Sequence, residues 1–243
     1  MYNKYQIASV VNVLKNNKTN YWTGNECKNF EKEFSKYHNT KYSIAVSNGS
    51  VALELALKAL NLKEGSEVIV TPRSFVISAS SVLNQGLKPI FADVDCNGNL
   101  KLDEILKVYN KNTKAVIIVH LNGLACDLDP IVQFTKNKKI FLIEDCSQAH
   151  GAKYKGRAVG SFGDISTWSF CQDKIISTGG EGGMICTNNK KIWKSCWSYK
   201  DHGKNYDNVF HKKHKQGFRW LHDNLGSNYR MTEMQATLGR YQL

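Results

Sequence analysis

The chain of 243 residues has only three prolines, and no apolar run reaches the ~20 residues that a membrane-spanning helix needs. It has no CxxC pair, no GxGxxG after its first strand-like stretch, no internal repeat and no low-complexity linker. The opening "MYNKYQIASVVNVLKNNKTN" lacks the apolar core and small-residue cleavage site of a signal peptide. Each absence removes a class of protein. Lacking a spanning segment and a signal peptide, the chain is expected in the cytoplasm, with no membrane partner. Without CxxC spacing, the seven scattered cysteines (27, 96, 126, 146, 171, 186 and 196) read as buried free thiols rather than metal ligands or disulfides. Without GxGxxG, a dinucleotide-dependent oxidoreductase falls away. Acidic residues are also scarce, 21 against 33 Lys and Arg, for a net charge of +12. No helix-turn-helix, finger or RNA-binding signature accompanies that charge, so no nucleic-acid partner is expected. Phosphate-bearing small molecules fit it equally well.

What the sequence does contain is a series of short β-branched or aromatic runs bounded by turn residues. They are "EVIVTP" (67–72), "KPIFADVD" (88–95), "AVIIVHL" (115–121), "IFLIED" (140–145), "STWSF" (166–170) and "GGMICT" (182–187). Such runs predict strands. Helical patterns lie between several of them: "SVALELALKALNL", "SFVISASSVLNQG" with Gly86 as a stop, and "LDEILKVYN". Strands alternating with helices predict an α/β fold, a mostly parallel sheet covered by helices on both faces. The last stretch, "RMTEMQATLGRYQL", opens as an amphipathic helix capped by Thr232 and reaches Leu243 with no stop signal. It reads either as a helix cut in its middle or as one that docks elsewhere.

Three stretches carry chemistry. In "SNGSVALELALKAL" (47–60), Asn48, Gly49 and Ser50 stand where a strand turns into a helix. Unpaired amides and the helix dipole favour an anion there, although a plain capped helix needs the same residues. In "FLIEDCSQAHGA", Glu144 and Asp145 end a hydrophobic strand, at the carboxyl edge where parallel sheets bind ligands. An acid there can serve as a base, a partner for a cationic ring, a helix cap or, least well, a metal ligand. In "SFCQDKIISTGGEGG", Lys174 stands alone between a strand and a glycine cluster. It is either a solvated surface lysine or a partly desolvated amine able to attack carbonyls. Taken together, a phosphate turn, a strand-end aspartate and a Ser-x4-Lys element are the parts that a pyridoxal 5'-phosphate site asks for.

The order and wording of these stretches resemble the DegT/StrS family of sugar aminotransferases, pyridoxal phosphate enzymes of fold type I. The matching stretches include "YWTGNECKNFEKEF", "SNGSVALELALKAL", "GSEVIVTPRSFV", "PIFADVD", "VHLNGLACDLDPI", "IEDCSQAHGAKYKGRAVGSFGD", "SFCQDKIISTGGEGG" and "GSNYRMTEMQATLGRYQL", in order over nearly the whole chain. The resemblance implies that Lys174 is the Schiff-base lysine and Asp145 the partner of the pyridinium nitrogen. It further implies Gln148 beside the ring's phenolic oxygen, Gly49, Ser50 and Ser169 around the phosphate, and Phe75 stacked on the ring. It implies a homodimer in which "GSNYRM" crosses to the neighbouring subunit, with Asn228 or Arg230 touching the phosphate there. The implied reaction moves an amino group from glutamate or glutamine to a nucleotide-linked keto sugar, for surface polysaccharide or amino-sugar synthesis.

The chain departs from the family at a few positions. Many members have histidine and threonine where this chain has Cys171 and Asp173, and threonine where it has Ser50; "STGGEGG" holds an extra glycine. The family's smaller C-terminal domain finds no counterpart, so residues 1–243 are expected to form the cofactor-binding large domain, with an N-terminal helical segment. Two rival readings keep the fold. A sugar dehydratase would have histidine in place of Lys174, and a non-catalytic regulatory protein would be expected to lose Lys174 or Asp145.

Overall fold

The computed structural model describes residues 2–217 and 219–243. In chain order its elements are α1 (Lys4–Lys15), α2 (Glu26–Tyr37), β1 (Tyr42–Val46), α3 (Gly49–Ala59), β2 (Glu67–Val70), α4 (Ile77–Asn84), β3 (Lys88–Phe91), α5 (Leu102–Val108) and β4 (Thr113–Val119). There follow α6 (Leu128–Lys138), β5 (Phe141–Asp145), the small hairpin β6 (Lys153–Tyr154) and β7 (Arg157–Ala158), β8 (Ile165–Ser169), β9 (Gly183–Thr187), α7 (Lys190–Lys200), α8 (Tyr206–Phe210) and α9 (Glu233–Gln242).

Seven strands form one sheet in the order β1-β9-β8-β5-β4-β2-β3. The pairs β2–β3, β2–β4, β4–β5 and β5–β8 are parallel, while β9 runs antiparallel to both of its neighbours, β8 and β1. Each of the six apolar runs is thus a strand; the runs did not announce the edge strand β1, the β6–β7 hairpin or the reversed direction of β9. Side chains alternate across a strand, so a strand buried on both faces is mostly apolar. In β4, Val116 and Ile118 enter the core beneath α2, α5, α6 and α9, where Phe30, Phe34, Ile105 and Ile131 meet them. Ala115 and Ile117 enter the core beneath α3, α4 and α7, with Leu53, Leu57, Val82 and Trp197. The helices cover both faces, as the alternation of strands and helices predicts.

Local signals place the helix ends. The Asn48 side chain accepts from the Val51 amide at 2.8 Å and caps α3. Gly86, just past α4, takes a φ of +69°, a conformation open to glycine at little steric strain. Thr232 caps α9 and forms a reciprocal box with Gln235. The face of α9 finds its partner inside the chain. Gly239 lies so close to Phe30 that a Cβ there would come within 2.5 Å of the ring, and Arg240 pairs with Glu26 and Glu33 at 2.7 and 2.6 Å. All seven cysteines are free; five are buried as expected, but Cys96 is exposed and Cys171 half-buried.

Candidate active site

A cavity of about 720 Å³ opens at the carboxyl edge of the sheet, where β4, β5 and β8 end beside the start of α3. Gly49, Ser50, Phe75, Asp145, Gln148, Ser169 and Lys174 all line it. These seven residues come from four separate stretches of chain, and the parallel topology brings their strand ends to one edge.

The floor is the junction of α3 with β8 and β9. A Cβ on Gly49 would lie 2.6 Å from the Ser169 Cβ, and one on Gly183 would lie 2.4 Å from the Asn48 carbonyl oxygen. Glycine at both positions lets the helix start sit directly on the strand. The amides of Gly49 and Ser50 precede the first intrahelical hydrogen bonds and, with the Ser50 and Ser169 hydroxyls nearby, form a cradle suited to a phosphate.

Asp145 ends β5 and is buried. Its Oδ1 accepts from the Ser147 amide at 3.0 Å. Burial pushes its carboxyl above the usual aspartate range, while the Ser147 bonds, His120 and Lys174 pull it back. A cation placed against it would relieve that burial. Glu144, one residue earlier, projects to the opposite face. It accepts from the amides of Gly160, Phe162 and Gly163 at 2.7, 2.8 and 2.6 Å. His120 Nε2 lies 3.1 Å from it, and His120 Nδ1 accepts from the Cys126 amide at 3.2 Å, which puts the imidazole proton on Nε2, facing Glu144. Burial alone would raise the Glu144 carboxyl, but the His120 hydrogen bond and the amides hold it below the usual range. Of the two acids that the sequence leaves open, Glu144 ties the 160–163 loop to the sheet and Asp145 faces the cavity. His120, Glu144 and Cys146 stand close enough to ligate a metal, yet the Glu144 oxygens and both His120 nitrogens are already engaged.

Lys174 follows β8 in a tight turn, with its amide donating to the Cys171 carbonyl at 3.0 Å. Its Nζ lies 2.8 Å from Asp173 Oδ2. The Gln148 side-chain oxygen accepts from the Asn122 amide at 2.8 Å, which leaves its NH2 to donate into the cavity. Phe75 is 69% exposed at the rim, a large apolar ring available for contact. Asn228 and Arg230 are not brought to this cavity. They run beside the end of β1, where Arg230 bridges Val46 and its guanidinium holds Asp201 at 2.8 Å. Sequence reasoning did not assign a role to Asp173, Glu181, Ser147 or Asn122. Asp173 and Glu181 were visible within the lysine–glycine stretch, whereas the hold of Asn122 on Gln148 depends on a loop more than twenty residues away and left no local signal.

A ring with a basic nitrogen, an aldehyde and a phosphate fits this donor set: Asp145 for the nitrogen, Lys174 for the aldehyde, and the start of α3 for the phosphate. The chain is 51% identical, with a TM-score of 0.98, to the solved structure of the aminotransferase from Psychrobacter cryohalolentis, and covers 100% of itself and 62% of that chain. It is 42% identical over 221 residues to the GDP-perosamine synthase of Escherichia coli O157:H7, which spans 90% of this chain and 58% of the relative. NtdA of Bacillus subtilis, solved with bound cofactor PMP, matches with a TM-score of 0.83 at 31% identity, over 98% of this chain and 52% of that one. The chain therefore spans about three fifths of the length of the first two of these relatives. Its match to the family model runs from residue 2 to residue 243, and the chain belongs to the DegT/DnrJ/EryC1/StrS aminotransferase family.

Proposed function

We propose that this chain is the cofactor-holding part of an aminotransferase that moves an amino group from glutamate or glutamine to a nucleotide-linked keto sugar. The observation that carries this reading is the convergence of Lys174, Asp145 and the start of α3 on one cavity. Pyridoxal phosphate, the cofactor of this family, supplies an aldehyde for the lysine and a protonated ring that takes up the electron pair of a breaking C–H bond. The rest falls to side chains. Asp145, ionised, keeps the ring nitrogen protonated through a charge-assisted hydrogen bond. Gln148 would donate its NH2 to the ring's phenolic oxygen, and Phe75 would pack against the ring. Ser50, Ser169 and the Gly49 amide hold the phosphate. Lys174 would hold the aldehyde and, with its Nζ free, would take up and return a proton.

The similarity to a GDP-perosamine synthase makes a GDP-linked keto sugar the first acceptor to test. The reading includes a homodimer in which Asn228 or Arg230 of each subunit completes the other's site. It places the protein in the cytoplasm, a setting that suits seven unpaired thiols. No helix among the described residues is long and apolar enough to cross a membrane.

The test is reconstitution of the full-length protein with pyridoxal phosphate. The reading expects a visible absorbance band that glutamate bleaches, that a GDP-linked keto sugar restores, and that Lys174→Ala abolishes. A band retained by Lys174→Ala would remove Lys174 from its role, and a band that no amino acid bleaches would remove the aminotransferase reading.

A further inference from the structure

The turn that presents Lys174 also presents a carboxylate to it. Lys174 N donates to Cys171 O at 3.0 Å, and Gln172 N donates to Gly180 O at 3.1 Å, so both ends of the turn are pinned to the backbone. Within this turn Asp173 Oδ2 lies 2.8 Å from Lys174 Nζ. The lysine side chain is 20% exposed and the aspartate 70%, so the amine lies inside the cavity and the carboxylate at its mouth. The other carboxyls lining the cavity are Asp145 and Glu181. Asp145 is engaged by Ser147, and Glu181 Oε1 lies 3.9 Å from the Cys171 thiol. Asp173 is thus the acid that meets the reactive amine directly. The hydrogen bond from Lys174 also holds the Asp173 carboxyl below the usual range, in keeping with a charged partner.

We infer that Asp173 is the counter-ion of Lys174 in the cofactor-free protein, and that it slows capture of an aldehyde by parking the amine as a paired ammonium. The inference rests on the assignment of Lys174 made above. Capture forms a bond from Nζ to the aldehyde carbon. The aldehyde oxygen leaves as water with two of the ammonium's three hydrogens, and the third stays on nitrogen, so charge and atoms balance. Before that bond can form, Nζ must give up a proton transiently to free its lone pair and must leave Asp173 to reach the carbon. Both steps are easier without the carboxylate. The same pairing acts in the opposite sense when a substrate nitrogen displaces the lysine, because Asp173 then receives the departing amine. Asp173 therefore shifts the exchange toward the released lysine. An amide at this position would hold the released amine less well.

The experiment follows the rise of absorbance by stopped flow when cofactor-free protein meets pyridoxal, which lacks the phosphate, and separately pyridoxal 5'-phosphate. Wild type, Asp173→Asn, Asp173→Glu and Lys174→Ala are compared at low salt and at high salt. Borohydride trapping and peptide mass locate the bond. With pyridoxal at low salt, Asp173→Asn should capture about two- to fivefold faster than wild type, the span that a partly exposed ion pair supports. Asp173→Glu should return toward wild type, and high salt should narrow the gap. Equal rates with pyridoxal would overturn the inference. A gain seen only with pyridoxal 5'-phosphate would also overturn it, because the carboxylate would then act merely by repelling the phosphate. If wild type forms no borohydride-trapped bond at Lys174, the assignment of that lysine fails and takes the inference with it, an outcome distinct from equal rates in competent proteins.

Discussion

Asp145 shows how a site residue works against the stability of its own fold. Its carboxyl is buried and pushed upward, so the folded protein binds the Asp145 proton more tightly than the unfolded chain does. The stability it contributes is full below the ordinary aspartate range and is lost as pH rises through its elevated value. At neutral pH the buried charge is therefore a liability that a cationic ring would relieve. Cofactor-free Asp145→Asn should melt at a higher temperature than wild type at pH 7, and the difference should shrink as pH falls toward 4. The same variant should bleach with glutamate about a hundredfold more slowly, a loss of roughly 2.7 kcal/mol in the barrier. An Asn variant that is both less stable at pH 7 and unimpaired with glutamate would contradict the assignment. Gly49 makes the opposite case, a residue whose lack of a side chain is what the site uses. Gly49→Ala would drive a Cβ to 2.6 Å from Ser169 Cβ and force α3 away from β8. A stability loss of about 1–3 kcal/mol by urea unfolding is expected, together with weaker pyridoxal phosphate binding. Taken singly, these residues left a capped helix, a solvated lysine and a helix-capping acid open; only their order along the chain pointed to one shared cavity. The Asp173 contact was not legible, because adjacent residues meet only when a turn folds one against the other.

At the level of elements, strands buried on both faces were legible as short runs rich in β-branched and aromatic residues, even where buried Ser166 and Thr167 interrupt β8. The helix α3 was legible through its leucines and its asparagine cap. By contrast, α6 and α7 were not singled out. Among its eleven residues α7 has four lysines, and only Ile192, Cys196 and Trp197 supply large buried apolar groups. The direction of β9 was hidden for another reason, since it is set by pairing with β8 and β1 and not by its own residues. Helix capping can also be non-local. The Asn25 side chain does not cap α2; instead the buried Glu233, from the first turn of α9, accepts from the amides of Glu26 and Cys27 at 2.5 and 3.2 Å. Glu233→Ala should cost about 2 kcal/mol or more in urea unfolding, with Glu233→Gln recovering part of the loss. The end of α2 carries a second liability. His38 packs 4.1 Å from the Trp168 ring, and His150 packs 5.4 Å from it. Burial pushes both imidazoles down to about 4. Their stability contribution is present above the ordinary histidine range near 6.5 and is lost as pH falls toward 4, at about 3 kcal/mol for each. His38→Phe should flatten acid unfolding between pH 6.5 and 4, as followed by tryptophan fluorescence; an unchanged acid profile would show that His38 does not drive it.

At the scale of the whole molecule, charge makes a case for a partner. The chain carries +12, yet its cavity presents Asp145, Asp173 and Glu181 against Lys174 alone. The cofactor phosphate and nucleotide diphosphate of the proposed reaction would call for more cationic donors than the amides of α3 supply. Arg230 stands outside the cavity, 14% exposed, with its NH1 on Asp201, which also holds Lys204 at 2.9 Å. This strip borders β1 at Val46, and in a two-fold pair each copy both gives and receives the same element. The expected result is complementation. Lys174→Ala and Arg230→Ala, each inactive as the full-length protein, are co-expressed or mixed under dissociating conditions. In a mixed dimer one site collects both lesions and the other is intact. Random pairing puts half the dimers in that class, so activity should return to about a quarter of wild type. Because Arg230→Ala also strips a buried partner from Asp201, its melting temperature is measured first; Asn228→Ala replaces it if the fold has weakened. Native mass spectrometry counts the mixed species. Mixed dimers that form but remain inactive would place Arg230 and Asn228 within their own subunit's structure, and the cations for the phosphates would then have to come from elsewhere.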